Sequence, residues 1–207
     1  MLKSAALGLL TVSGFLSGSA ANALTLTSPD IKPGGKIADE QAFNGSDCAG
    51  KNVSPALAWT GAPKGTKGFA VSVSDPDAPG GGGFWHWWVA NLPADATGLP
   101  KGAGGGTGLP EGAVQANNDF SLPGYGGPCP PKGKPHHYHF TVYALDLDKL
   151  PVDAKASPAV FASYANAHTL AKATLRSLRA LSGGGDCYGK FTDRFGVQWA
   201  ANGAADR

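Results

Sequence analysis

Glycine and proline interrupt this chain so often, at 31 and 16 of its 207 positions, that a helical bundle has little room to form. Charged residues contribute only 15%. That balance favours a loop-rich, turn-rich β protein, and five Trp with nine Phe supply the core material a disordered chain lacks. Phe69, Val71 and Val73 alternate with small or polar residues ahead of Asp75-Pro76, where the missing proline donor ends a strand. Phe84 to Asn91 is apolar on both faces, the mark of a central strand. His137 to Leu145 is the third clear strand, with weaker ones at Leu24 to Thr27, Pro55 to Thr60 and Ala113 to Asn117. Gly80 to Gly83 and Gly102 to Gly106 read as flexible loops. Neither leads into Lys-Ser, Lys-Thr or a helix start, so neither is a nucleotide loop.

Helix is confined to the last third. Ser157-Pro158 offers a cap with proline at the first helical position, predicting a short helix to about Tyr164. Ala167, Leu170, Ala171, Thr174, Leu175, Leu178 and Leu181 then recur at spacings of three and four, opposite Lys172, Arg176 and Arg179. That spacing predicts a longer helix packed on the sheet with a solvated basic face, stopped by Gly183 to Gly185.

Residues 1–23 carry one early Lys3, an apolar stretch around Leu7 to Leu16 and a close on Ala21-Asn22-Ala23, the pattern of a secretory signal peptide cut after Ala23. No later apolar run reaches spanning length, so no integral membrane segment is expected after signal removal and the protein should be secreted or periplasmic. The remainder suits one domain over 24–181, followed by an aromatic tail over 182–207 with Cys187, Tyr188, Phe191, Phe195 and Trp199, expected to pack back on the domain. Without Lys3 the basic residues exceed the acidic by one. No global field invites nucleic acid, and any anion binding must be local.

Two segments carry the chemistry. Asp75-Pro76-Asp77-Ala78-Pro79 leads to His86, and Gly127-Pro128-Cys129-Pro130-Pro131-Lys132-Gly133 leads to His136-His137-Tyr138. Each couples a proline-stiffened loop to a strand and so presents polar groups from backbone that can hardly rearrange. On a strand, side chains two apart share a face. His136 should therefore point with Tyr138, away from His137 and His139, while His86 should point with Trp88 and Ala90, opposite Trp85 and Trp87. If the two strands are neighbours, two imidazoles and a phenol can surround a phosphoryl group and hydrogen-bond its oxygens. Asp75 and Asp77 would repel an anion directly, but a carboxylate bonded to one imidazole nitrogen fixes its tautomer. Asp77 can equally cap the Pro-Asp-Ala-Pro turn. His139 and His168 read as ordinary polar positions, and the three tryptophans as sheet core.

Cys48, Cys129 and Cys187 permit one intramolecular disulfide in an oxidising compartment. Cys48 with Cys129 would staple two loops around the pocket. Cys48 with Cys187 competes with it, because that bridge would pin the tail. No spacing matches a zinc motif.

These residues resemble the phosphatidylethanolamine-binding protein family, in its bacterial Raf-kinase-inhibitor-like branch. The resemblance runs from about Leu24 to Leu178 through Asn52-Val53-Ser54-Pro55-Ala56-Leu57-Ala58-Trp59, Asp75-Pro76-Asp77-Ala78-Pro79, His86 with Val89-Ala90-Asn91, Gly127-Pro128-Cys129-Pro130-Pro131, and His136-His137-Tyr138 with Phe140 to Leu145. It implies a mostly β fold: a central antiparallel sheet with a second smaller sheet and C-terminal helices, in a β-sandwich. It also implies a cavity for phosphate, phosphorylethanolamine and related anions, lined by Asp75, His86, His136 and Tyr138. Asp77 and Pro79 would shape its wall, with Pro128 also among the ligand-binding positions. His137 stands where the family usually has Arg.

The expectation is therefore a noncatalytic binding protein without cofactor, and the resemblance extends it to inhibition of a partner kinase or protease. Two other classes compete. A hydrolase or phosphoryl-transfer enzyme would use the Asp and His residues as acid and base, but the chain has no Gly-x-Ser-x-Gly or His-Glu-x-x-His and no activated nucleophile. A metal site from Asp75, His86 and His136 would need neutral imidazoles and would compete with phosphate.

Overall fold

The computed structural model describes residues 23–45, 47–181, 190–192 and 198–200. The expected leader, apart from Ala23, and most of the tail including Cys187 lie outside the described residues. The strands are β1 (Thr25–Thr27), β2 (Asn44–Gly45), β3 (Cys48–Ala49), β4 (Leu57–Thr60), β5 (Gly68–Asp75), β6 (Phe84–Pro93), β7 (Gly98–Leu99), β8 (Val114–Gln115), β9 (His136–Leu145), β10 (Thr169–Arg179), β11 (Lys190–Thr192) and β12 (Gln198–Ala200), with one α-helix, α1 (Pro158–Ala167). A five-stranded antiparallel sheet runs in the order β10-β9-β5-β6-β8, and a three-stranded one in the order β1-β4-β7.

The two sheets enclose the larger core. Leu26, Trp59 and Leu99 of the small sheet join Val71, Val73, Trp87, Tyr138, Phe140 and Val142 of the large one. On the other face Phe161 and Ala165 of α1 cover Ala70, Trp88, Ala90 and Tyr143. Trp88 and Phe161 stack there with centroids 4.8 Å apart. Both faces are thus buried, which is why β6 reads as apolar throughout. The middle position, however, belongs to β5, and β6 lies between it and the short β8. The condition that the His86 and His136 strands be neighbours is not met, since β5 lies between β6 and β9.

The short helix begins as anticipated, with the Val160 N–H donating to Ser157 Oγ and Pro158 in the first turn, though it continues to Ala167. The longer helix does not form. Residues 169–179 are instead strand β10, paired with β9 from Thr169 opposite Leu145 to Arg179 opposite His136. Ala171, Leu175 and Arg179 lie four apart, a spacing that fits a helix face and also fits one face of a strand. The open edge of β9 offers a full ladder of backbone partners and decides between them. The outer edge of β10 is covered in turn, since Gly34 N–H donates to the Arg176 carbonyl and Ile37 N–H to that of Leu178.

Residues 102–106 are not simply a flexible loop. A 3-10 turn at Ala103–Gly105 buries Ala103 and Gly104, and the Gly104 N–H donates to Ser54 Oγ. A disulfide joins Cys48 to Cys129, with Cα atoms 5.9 Å apart. In the tail, β11 pairs antiparallel with β12.

Candidate functional site

A β-bulge builds the first half of the site. Val73 pairs with Trp87 and Ser74 with Trp85, so His86 is an extra residue on β6. The bulge breaks the alternation. Trp85 falls on the α1 side with Trp88, whereas His86 turns toward Tyr138, its ring centroid 5.2 Å away and edge to face. The face assignment of His86 and Trp85 from strand parity is therefore corrected. For β9, parity holds: His136 and Tyr138 are buried while His137 and His139 are partly exposed on the opposite face. The bulge lets β6 and β9 share the site across β5, which itself contributes Asp75 at its end.

Each imidazole is held by its Nδ1. His136 Nδ1–H donates to Asp75 Oδ2 at 2.7 Å, and His86 Nδ1–H donates to the Gly126 carbonyl at 2.7 Å. Among the described residues no hydrogen bond of good geometry reaches either Nε2, although the Gly127 carbonyl also lies near the His86 ring. Burial pushes the His86 pKa below the ordinary histidine range, although the Gly126 and Gly127 carbonyls and Asp75 oppose it. The ring is therefore neutral at physiological pH. Tyr138 is fully buried and its hydroxyl has no partner. Burial first, then the neighbouring Asp75 carboxylate, push its phenol well above the usual range, so it keeps its proton. Asp75 comes near enough to Tyr138 to act on it electrostatically without forming a hydrogen bond of good geometry.

The supporting parts come from the motifs. Asp75 Oδ1 accepts from the Asp77 N–H, so Asp75, not Asp77, closes the Pro-Asp-Ala-Pro turn. Asp77 faces out and accepts from both the backbone N–H and Nδ1 of His137 at 2.8 and 2.6 Å. Burial raises its pKa, but those bonds and the ring's charge outweigh it and hold the carboxyl below its ordinary value. Here His137 hydrogen-bonds Asp77 on the outward face of the strand. Pro79 is exposed and Pro128 buried, the Pro128 carbonyl accepting from Phe43 N–H.

Asn52 fixes the second loop by donating to the Tyr125 carbonyl and accepting from Gly127 N–H. Gly126 and Gly127 must be glycine. A Cβ on Gly126 would lie 2.6 Å from the Phe120 ring, and one on Gly127 would lie 2.2 Å from the Gln41 carbonyl oxygen.

Two features escaped the motif reading. The first is an aromatic wall. Phe84 and Phe120 lie 5.0 and 5.6 Å from the His86 ring, and Phe43 stacks on Phe120 at 4.3 Å. No local pattern marks it, since its members come from three separate segments. The second is Arg179. Read as a solvated helix face, it is 6% exposed and sits opposite His136. Its guanidinium donates to the Ile37 carbonyl and to Asp39, while Nε has no partner. Strand parity with Leu175 would have placed it inward.

The chemistry and the open clefts lie apart. Clefts of about 640 and 460 Å3 open around Asn91 and Lys149, about 17 Å along β6 from His86 at the usual strand rise, and no histidine lines them. The buried polar cluster identifies the candidate site. Among the described residues no group of three or more His, Cys, Asp or Glu is gathered as a metal-holding cluster.

A small sheet and a helix on opposite faces of a larger antiparallel sheet, with an Asp, two His and a Tyr gathered at one end, define a recognisable class. The chain belongs to the phosphatidylethanolamine-binding protein family, whose model matches residues 27–179. It is 52% identical over 169 residues to the UPF0098 protein YbcL of Escherichia coli, covering 80% of this chain and 92% of that one. It is 46% identical to YbhB of the same organism, over 75% of this chain and 99% of the other. The crystal structure of Escherichia coli YbcL superposes with a TM-score of 0.75 at 49% identity, covering 77% of this chain and 99% of that one. A phosphatidylethanolamine-binding protein homologue of Chlamydia trachomatis gives 0.64 at 30% identity, covering 76% and 97%. A Mycobacterium tuberculosis relative, LppC, named a lipoprotein, is 38% identical over 66% of this chain and 63% of its own length.

Proposed function

We propose that this is an exported, noncatalytic binding protein whose recess at His86, His136 and Tyr138 takes a small oxyanion such as phosphate or phosphorylethanolamine. One observation carries the reading: the Tyr138 hydroxyl is buried without a partner beside two imidazoles that spend only their Nδ1 atoms on the protein. A buried donor left unmade costs stability, and a bound oxyanion would satisfy it. Asp75, Gly126 and Asn52 orient the rings in advance, which reduces the ordering cost of binding. Asp77, Pro79 and Pro128 shape and tie the loops. Export is supported by the leader pattern, the Cys48–Cys129 bridge and the lipoprotein relative.

Calorimetric titration of the mature protein with phosphate and phosphorylethanolamine tests the reading. Saturable binding that His136→Ala and Tyr138→Phe abolish or weaken at least tenfold is expected. Absence of binding, or affinity unchanged in both variants, overturns it. Steady turnover of a phosphomonoester in metal-free buffer would instead establish the enzyme class.

A further inference from the structure

The hydrogen-bond roles left over at the site specify more than a negative charge. His86 must donate from Nδ1, because its partner is a carbonyl that can only accept. In the neutral ring Nε2 is therefore an acceptor. This nitrogen would repel the bare oxygens of a fully deprotonated anion. His136 is arranged in the same way by Asp75, so its neutral ring also leaves an acceptor, while its cation would donate. Tyr138 supplies a hydroxyl. The cluster thus offers one donor and one compulsory acceptor before any proton is taken up.

We propose that the recess selects oxyanions carrying a hydroxyl of their own, such as inorganic phosphate or a phosphomonoester monoanion, over anions with none, such as sulfate or a phosphodiester. This rests on the oxyanion reading above and adds the proton that the anion must bring. In the complex the ligand P–OH donates to His86 Nε2, and Tyr138 donates to another ligand oxygen. No covalent bond changes.

The charged and titratable groups around His86 are Asp75 at the end of β5, His136 and Tyr138 on β9, and Asp119, whose carboxylate accepts from Trp85 N–H. Beyond them lies Arg179 on β10, already shared between Ile37 and Asp39. Two carboxylates near one buried ring give little field for a dianion. Burial of His86 opposes its becoming a donor, so an anion without a hydroxyl must bring a proton from solution.

Calorimetry at about pH 7 in two buffers of different ionisation enthalpy, with inorganic phosphate, sulfate, phosphorylethanolamine and glycerophosphorylethanolamine as separate probes, decides the matter. Phosphate should bind at least about tenfold tighter than sulfate or the diester, a difference in the range that one mismatched buried hydrogen bond produces. Any sulfate binding should take up a proton, and phosphorylethanolamine should tighten as the pH falls through the phosphomonoester range near 6. His86→Gln puts an amide, able to donate, near the position of Nε2 and should narrow the phosphate-to-sulfate ratio. Equal affinities for phosphate and sulfate with no proton uptake in the wild-type protein overturn the selectivity while leaving the oxyanion site intact. Tighter binding of the diester than of phosphate also overturns it and points to a lipid headgroup as the source. Failure of every probe to bind removes the oxyanion reading itself. The wild-type comparison stands even if the variant does not fold.

Discussion

At the scale of single residues, the site holds one group that works against the fold and one that makes the fold sensitive to acid. The Tyr138 hydroxyl is buried without a partner, so Tyr138→Phe should leave stability within about 1 kcal/mol of wild type, or raise it, while weakening phosphate binding. Urea unfolding beside calorimetry checks both, and a large loss of stability would mean that the hydroxyl has a structural partner. His86 has a folded pKa below its ordinary value because it is buried, and His139 is lowered by burial and Arg176. Between the folded and unfolded pKa values only the unfolded chain binds the proton. Stability should accordingly be complete above about pH 6.5 and fall as pH drops below it. In His86→Gln the dependence of unfolding free energy on pH between about 5 and 6.5 should shrink by up to one proton. An unchanged slope would place His86 in solvent.

Among the elements, β10 gives the sharpest contrast between periodicities. A helix would put Leu170 and Leu175 on one apolar stripe. The strand separates them, leaving Leu170 46% exposed and Leu175 4%. Leu175→Ala should therefore cost about 2–5 kcal/mol and Leu170→Ala no more than about 0.5 kcal/mol, measured by chemical unfolding. Equal losses would favour the helix. The same element shows where sequence reasoning runs out. β5, β6 and β9 were legible from alternation and proline stops, and the Ser157 cap with Pro158 located α1. β10 was not, because Leu175 and Arg179 satisfy both periods and the deciding partner, the edge of β9, is distant in sequence. The site divides in the same way. His136 and Tyr138 follow from parity, whereas the His86 orientation depends on a bulge visible only in the pairing with β5. The Phe43-Phe84-Phe120 wall is a tertiary product with no local signal.

For the whole molecule, the Cys48–Cys129 bridge closes a loop over a separation of 81 residues and ties β3 to the segment that follows the Gly126 carbonyl. Chain entropy for a loop of that length gives about 4.5 kcal/mol, so Cys48→Ser with Cys129→Ser should lower unfolding free energy by about that amount and loosen the hold on His86. A bridge between Cys48 and Cys187 in peptide mapping would contradict the arrangement. The fold thus uses two sheets and a helix to bury its core, and at one end brings three strands and one stapled loop to a cluster whose outward nitrogens are unspent.

A long-range proton–nitrogen correlation spectrum of the histidine rings during phosphate titration tests that cluster most directly. The account predicts Nδ1–H tautomers for the free His86 ring and for His136 whenever it is neutral. It also predicts saturable movement of the Nε2 signals of both on adding phosphate, with the surface pair His168–Asp146 unaffected. Movement confined to His168, or no saturable movement at His86 and His136, would contradict it.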